Sequence, residues 1–217
     1  MKKILSAVML LSGLVLSAAA SAAVINGSIR TIDGDGDGIV DDLKISRVMF
    51  EVTAGTHVFF DSLVLESSGV DLNGDGLITG FDNYMVLFDT AMLGITANDD
   101  SSDTYGDGSV HRYDSTIGYT FATAGTYMIS LGQLSYSDQS ALQGYSADRN
   151  FVAYAGNENF GAWRLTMTAT DGLLSGVREV GVTPADVPEP ASLALLGAGL
   201  FGFGAARRKA GKGSTKA

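Results

Sequence analysis

The sequence predicts an all-β fold, an antiparallel β-sandwich, and three observations predict it. Apolar residues alternate with period two in short runs, Gly-rich and Asp-rich stretches separate those runs, and no amphipathic helical stretch of useful length interrupts them. A chain of 217 residues has room for one well-buried domain. Half-buried strands with frequent turns bury their apolar faces by packing two sheets together.

Taken in order, the runs are RVMFEVT (47–53), THVFFDSLVL (56–65), NYMVLFDT (83–90), STIGYTFA (115–122), GTYMISLGQ (125–133) and AWRLTMTA (162–169). They are rich in β-branched and aromatic residues, which fit a pleated surface. In GTYMISLGQ one face carries Tyr127, Ile129 and Leu131; in AWRLTMTA Trp163, Leu165 and Met167 oppose Arg164, Thr166 and Thr168. The chain also echoes itself, since FEVTAGTHVFF (50–60) and TFATAGTYMIS (120–130) both place T-A-G-T between two runs. Glycine there supplies a turn conformation that other residues resist.

The two ends read as targeting segments. Residues 1–23 run from Lys2 and Lys3 through an apolar stretch to Ala20-Ser21-Ala22, the layout of a secretory signal peptide, so the mature chain is expected to begin near Ala23. Residues 24–46 form an acidic Asp/Gly-rich segment, 47–172 the sandwich and 173–186 a linker. At 187–210 two prolines flank Glu189, sixteen uncharged residues follow from Ala191 to Ala206, and Arg207, Arg208 and Lys209 close the segment. As a helix those sixteen would be roughly 24 Å long, thin for a hydrocarbon core of ~30 Å but able to span it. Residues 211–217 would then be a basic cytoplasmic tail, with the body outside the inner membrane.

Pro188-Glu189-Pro190, the apolar stretch and the Arg207-Arg208 stop, in that order, resemble the PEP-CTERM sorting signal of Gram-negative bacteria. That resemblance implies recognition of the tail by an integral-membrane exosortase, with transient anchoring and then residence at the cell surface or in an exopolysaccharide or biofilm matrix. A plain membrane anchor is the alternative. Gly197, Gly199 and Gly202 spell G-x-G-x-x-G, but no strand precedes them, so they read as small residues of the apolar stretch.

Seven of the fourteen Lys and Arg lie in the two end segments, while all 24 Asp and Glu lie between the basic clusters. Seven against 24 leaves −17 on the stretch between those clusters. Such a body repels nucleic acid and attracts divalent cations. There is no cysteine, so no disulfide staples the fold.

Two windows carry calcium-ligand spacing. DLNGDGLITGFD offers Asp71, Asn73, Asp75, the Leu77 carbonyl, Thr79 and Asp82 at positions 1, 3, 5, 7, 9 and 12, with Gly76 at the sharp turn. DGDGDGIVDDLK offers Asp33, Asp35, Asp37, the Ile39 carbonyl and Asp41, but Lys44 stands at position 12. It resembles the D-x-D-x-D-G repeats of thrombospondin type 3 and bacterial adhesins, in which neighbouring acids complete the shell. Without a cation, five close carboxylates would repel one another. The alternatives are an Asp/Gly-rich surface loop for the first window and a solvated acidic linker for the second. A third window, 103–114, keeps Asp103, Asp107 and Asp114 but has Tyr105 at position 3, and reads as a hairpin loop.

Catalysis finds little footing. The only histidines are His57 and His111, no H-E-x-x-H or G-x-S-x-G occurs, and the acids sit in loops rather than on opposed strands. The expectation is no enzyme. The long segment 135–162 carries Tyr136, Tyr145 and Tyr154, which could stack on sugars or cover the core edge. The T-A-G-T turns, Leu87-Phe88-Asp89, Leu93-Gly94 and Asn98-Asp99-Asp100 are similar to bacterial pre-peptidase C-terminal domains. That likeness implies a jelly-roll-like accessory or binding module. The reading is therefore a non-catalytic, calcium-binding exported sandwich, with a carbohydrate-binding module or adhesin, and a secreted hydrolase or its accessory domain, as alternatives.

Overall fold

The computed structural model describes residues 21–66, 69–101, 113–156 and 158–181. The chain divides into two units at Gly181, and the described strands all lie in the first. The expected leader over residues 1–20 and the whole expected sorting tail fall outside the described residues. Among the described residues no helix is long and apolar enough to cross a membrane.

Among the described residues eleven strands and one short helix follow in chain order: β1 (Ser21–Ile32), β2 (Asp42–Lys44), β3 (Ser46–Val52), β4 (His57–Leu63), β5 (Asn83–Phe88), β6 (Gly94–Asn98), β7 (Thr116–Thr120), β8 (Gly125–Gln133), α1 (Asp138–Gln143), β9 (Tyr145–Ser146), β10 (Phe160–Thr170) and β11 (Leu174–Val180). They make a six-stranded sheet ordered β7-β4-β10-β1-β2-β9 and a five-stranded sheet ordered β11-β3-β8-β5-β6. Every strand pairing is antiparallel. The all-β sandwich expected from the sequence is the fold observed.

Between the sheets lies a core built by alternation. Phe50 of β3 meets Phe60 of β4 at 5.3 Å and Phe121 at 5.7 Å, and Phe121 lies 4.5 Å from Tyr127 of β8 in an edge-to-face pair. Trp163, Leu165 and Met167 are buried on the face that the alternation assigns to the core, and so are Tyr127, Ile129 and Leu131. The T-A-G-T echo has a structural meaning. Each copy carries the chain from one sheet to the other, β3 to β4 and β7 to β8, and the two crossings lie against each other. His57 sits opposite Thr120 in one sheet and Val52 opposite Gly125 in the other. Between them Gly55 N–H donates to the Phe121 carbonyl at 2.7 Å and Phe121 N–H to that of Thr56 at 2.8 Å, so the register passes through the turn. Gly55 holds φ +86° there, a conformation side chains resist.

Three boundaries differ from the sequence reading. Residues 24–46, expected as an acidic segment ahead of the sandwich, supply most of β1 and all of β2. The strand starts at Ser21, inside the last residues of the expected leader, and pairs with β10 from Ser21 opposite Ala169 to Arg30 opposite Phe160. Gly27 explains why β1 is hard to see, because a glycine inside a run weakens the strand signal. It faces Trp163, and a Cβ added there would lie 2.3 Å from the indole ring. Residues 173–186, expected as a linker, begin with β11, which pairs with β3. Segment 135–162 contains α1, capped by the Ser137 side chain and by Gly144 at φ 93°. Ala141 of α1 is buried with Val86, Phe88 and Met128. Both faces of β8 are therefore covered, and its burial runs unbroken from Tyr127 to Gln133.

Gly27→Ala should lower stability by about 1–3 kcal/mol through overpacking against Trp163. As Trp163 is the single tryptophan, its emission reports the site directly. A red shift with a lower denaturant midpoint is expected, and parental values of both would refute the contact.

Two acidic loops at one end of the sandwich

Both β1 and β4 run antiparallel to β10, so both leave the six-stranded sheet at the end where β10 begins. Loop 33–41 follows β1, and the loop through 71–79 follows β4. The two windows read from the sequence as calcium loops thus emerge at one end, opposite the T-A-G-T turns.

Their backbones share one hydrogen-bonding frame. In the first loop the Asp33 carboxylate accepts Gly36 N–H at 2.8 Å and Gly38 N–H at 3.1 Å, Asp35 accepts Asp37 N–H at 3.0 Å, and Asp37 accepts Ile39 N–H at 2.7 Å. In the second, Asp71 accepts Gly74 N–H at 2.7 Å and Gly76 N–H at 2.8 Å, Asn73 accepts Asp75 N–H at 2.9 Å, and Asp75 accepts Leu77 N–H at 2.9 Å. Gly36 and Gly38 have φ of 81° and 89°, and Gly74 and Gly76 have 79° and 88°. Short Asx side chains bonding two residues ahead, with glycine at each left-handed position, generate this coil from D-x-D/N-G-D-G.

Each loop is also held from outside by a buried carboxylate. Asp42 accepts Gly34 N–H at 2.9 Å and Asp35 N–H at 3.0 Å, and its other oxygen accepts Asp148 N–H at 3.1 Å. Glu66 does the same for the second loop, accepting Leu72 N–H at 2.8 Å, Asn73 N–H at 3.1 Å and Thr79 N–H at 2.9 Å. Asp42 and Glu66 are 2% and 1% exposed, and the backbone donors offset the cost of burying each side chain. Arg164 on β10 reaches the Leu72 carbonyl at 3.1 Å and ties the second loop to the sheet.

The structure brings Asp33, Asp35 and Asp37 together, each offering an oxygen within 4.8 Å of the others, all exposed. Asp41 has its pKa raised, by burial first and then by Asp42, Asp37, Asp148 and Asp35. In the second window Asp71, Asn73 and Asp75 share the coil, while Thr79 and Asp82 leave it. Thr79 is fully buried and its hydroxyl accepts Ala162 N–H at 3.0 Å. The chain turns inward because Phe81 is a core residue, fully buried and 6.1 Å from Phe151. Ile39 and Leu77 sit at corresponding places, with their side chains exposed.

Asp82 instead joins Asp99 and Asp100, one carboxylate oxygen of each lying within 4.8 Å of the others. Burial, then Asp100, raises the pKa of Asp99, whose Oδ1 is buried and accepts no hydrogen bond among the described residues. Of the third window only Asp114 is described besides Tyr113. It is buried and accepts Val64 N–H at 2.7 Å and Leu65 N–H at 3.2 Å. The three tyrosines divide. Tyr136 turns its hydroxyl inward to the Tyr84 carbonyl at 2.8 Å, beside Ser130, and burial pushes its pKa up. That geometry removes it from a sugar platform. The Tyr145 ring closes on Gly34, where a Cβ would lie 2.5 Å away, and only Tyr154 stands open, 51% exposed.

A family model described as the PEP-CTERM protein-sorting motif matches residues 186–209. It spans Pro188, Glu189, Pro190, Arg207 and Arg208, and implies an exported chain that an exosortase sorts, anchored in a membrane before processing. No curated protein matches the chain. Among solved structures it is similar to Aeromonas hydrophila PliG, a periplasmic lysozyme inhibitor of g-type lysozyme, at 15% identity over 70% of this chain and 88% of that one, with a TM-score of 0.35. Neither match carries the resemblance to pre-peptidase C-terminal domains.

Two outcomes are expected. Glu66→Ala leaves three backbone donors without their acceptor and should cost roughly 3 kcal/mol, read as a lower denaturant midpoint. The raised pKa of Asp99 means that folding favours its protonated form, so its contribution is fully present below the unfolded pKa and is lost as pH rises through the folded one. Asp99→Asn should accordingly raise the melting temperature at pH 7 in chelator and lose that advantage in acid. A gain independent of pH would contradict the assignment.

Proposed function

We propose that this chain is a non-catalytic, calcium-binding sandwich protein that an exosortase sorts to the cell envelope or the exopolysaccharide matrix. The observation that carries the calcium part is the repeated frame, in which two loops 38 positions apart in the sequence make the same side-chain-to-backbone bonds. A hard dication takes several oxygen ligands from such coils. Asp33, Asp35, Asp37, Asp41 and the Ile39 carbonyl would serve one ion, and Asp71, Asn73, Asp75 and the Leu77 carbonyl another. Three carboxylates 4.8 Å apart at most repel by about 1 kcal/mol per pair even in water, a strain that a cation reverses. The sorting motif supports the destination, and the absence of cysteine supports metal as the staple outside the cell.

Calcium at a hundred times its dissociation constant stabilises a one-site fold by about 2.7 kcal/mol. The purified full-length chain should therefore melt several degrees higher in calcium than in chelator, and the difference should shrink in Asp33→Asn and in Asp71→Asn. Equal midpoints in the parent would sink the calcium reading. Replacing Pro188-Glu189-Pro190 by alanines should leave the chain in the membrane fraction, and an unchanged distribution would refute sorting through that motif.

A further inference from the structure

Among the described residues one side-chain cation has nothing to hold. Among the described residues Lys44 pairs with Glu179, and Arg47, Arg149, Arg164 and Arg178 each donate to a backbone carbonyl. The Arg30 side chain makes no hydrogen bond or ion pair among the described residues. It lines a cleft of about 360 Å³ together with Ser28, Thr31, Val40, Asn159 and Phe160. The cleft is at the same end of the sheet as the acidic loops, since Arg30 lies two residues before the end of β1 and Val40 belongs to the first loop.

The register explains its chemistry. Arg30 is directly opposite Phe160 on β10, so both side chains rise from one face of the sheet as a cross-strand pair. Phe160 is half-buried and Val40 is 64% exposed, which gives an apolar wall. Ser28 and Asn159 supply a hydroxyl and an amide, and Arg30 supplies a planar fork of donors suited to a carboxylate. A volume at the low end for ligand sites suits a ring the size of one sugar.

We propose that this cleft binds a carboxylated sugar, a uronate unit of an acidic polysaccharide. The carboxylate sits on Arg30, the apolar face of the ring on Phe160 and Val40, and the ring hydroxyls on Ser28 and Asn159. An inorganic anion would leave the apolar wall unused, and a neutral sugar would leave Arg30 unpaired. A body of charge −17 repels a polyanion at long range, so retention depends on local contact, helped where cations offset the neighbouring loop. This assignment rests on the reading that the chain resides in a polysaccharide matrix and names the ligand class it would meet there.

The test is retention of the purified full-length chain on beads bearing a polyuronate, with neutral glucan beads alongside, in buffer containing calcium. Retention on the polyuronate alone is expected. Loss of a charge-assisted pair in Arg30→Gln should weaken it by about tenfold or more, with partial rescue in Arg30→Lys and an intermediate loss in Asn159→Ala. Both Arg30 and Asn159 are exposed, so the variants should melt with the parent. No retention of the parent, equal retention on both beads, or full retention of Arg30→Gln overturns the cleft assignment. Cell fractionation reads sorting separately: a chain that is sorted but not retained loses the sugar site and keeps the destination.

Discussion

Strand β10 is paired along both of its edges, and that double antiparallel pairing is the constraint on which the rest depends. Ten positions face β1 and seven face β4. Because both partners run against β10, both must deliver their following loops to the same end, and the turns that precede β4 and follow β7 must lie at the other. The ladder also fixes what each face meets. Trp163 turns inward onto Gly27, while Arg164 turns outward to the Leu72 carbonyl. One strand thus seats the core and one of the acidic loops.

Charge does structural work that cysteine does elsewhere. Glu66, Asp42 and Asp114 are all within 2% of complete burial, and they accept backbone N–H groups from residues 13, 106 and 50 positions away respectively. A buried carboxylate is costly alone, but several charge-assisted bonds offset its desolvation. These anchors tie irregular segments to the sandwich where no ladder can reach them. They also couple the loops to global stability, since whatever orders residues 71–79 acts on a loop fastened through Glu66 to the end of β4.

The strand runs were legible wherever burial was one-sided or continuous. GTYMISLGQ coincides with β8, and the alternation in AWRLTMTA assigned its two faces correctly. β1 was not legible, because Gly27 and Asn26 interrupt its pattern for a reason that lies across the sheet, in the size of Trp163. The loop core was legible from Asx and Gly spacing, which is a local matter. Its completion was not. Counting to position 12 assigned Asp82, but the burial of Phe81 draws the chain away after Leu77. Glu66 precedes the window by five residues and has no spacing signal, while Asp42, adjacent to Asp41, had one in the doubled acid. Tyr136 shows the limit of composition, since a tyrosine in a polar segment looked like a platform and its hydroxyl is a buried tie.

The two anchors come from opposite directions in sequence, Asp42 from after its coil and Glu66 from before it. A duplicated helix-loop-helix unit would keep the anchor on one side. Here the six-residue coil closes its own N–H groups, and the sheet supplies whichever nearby carboxylate its register buries beneath it. That difference bears on what a cation would do. In a pair of helices, an anchor on the exiting helix lets the ion change an interhelical angle. In this chain Asp42 lies on β2, which is paired with β1 and β9, and Glu66 follows β4, which is paired with β10 and β7, so neither anchor rides on an element free to swing. A cation bound to these coils would add stiffness to one end of the sheet and reduce the local negative charge beside Arg30. It would tune what that end can touch without moving it.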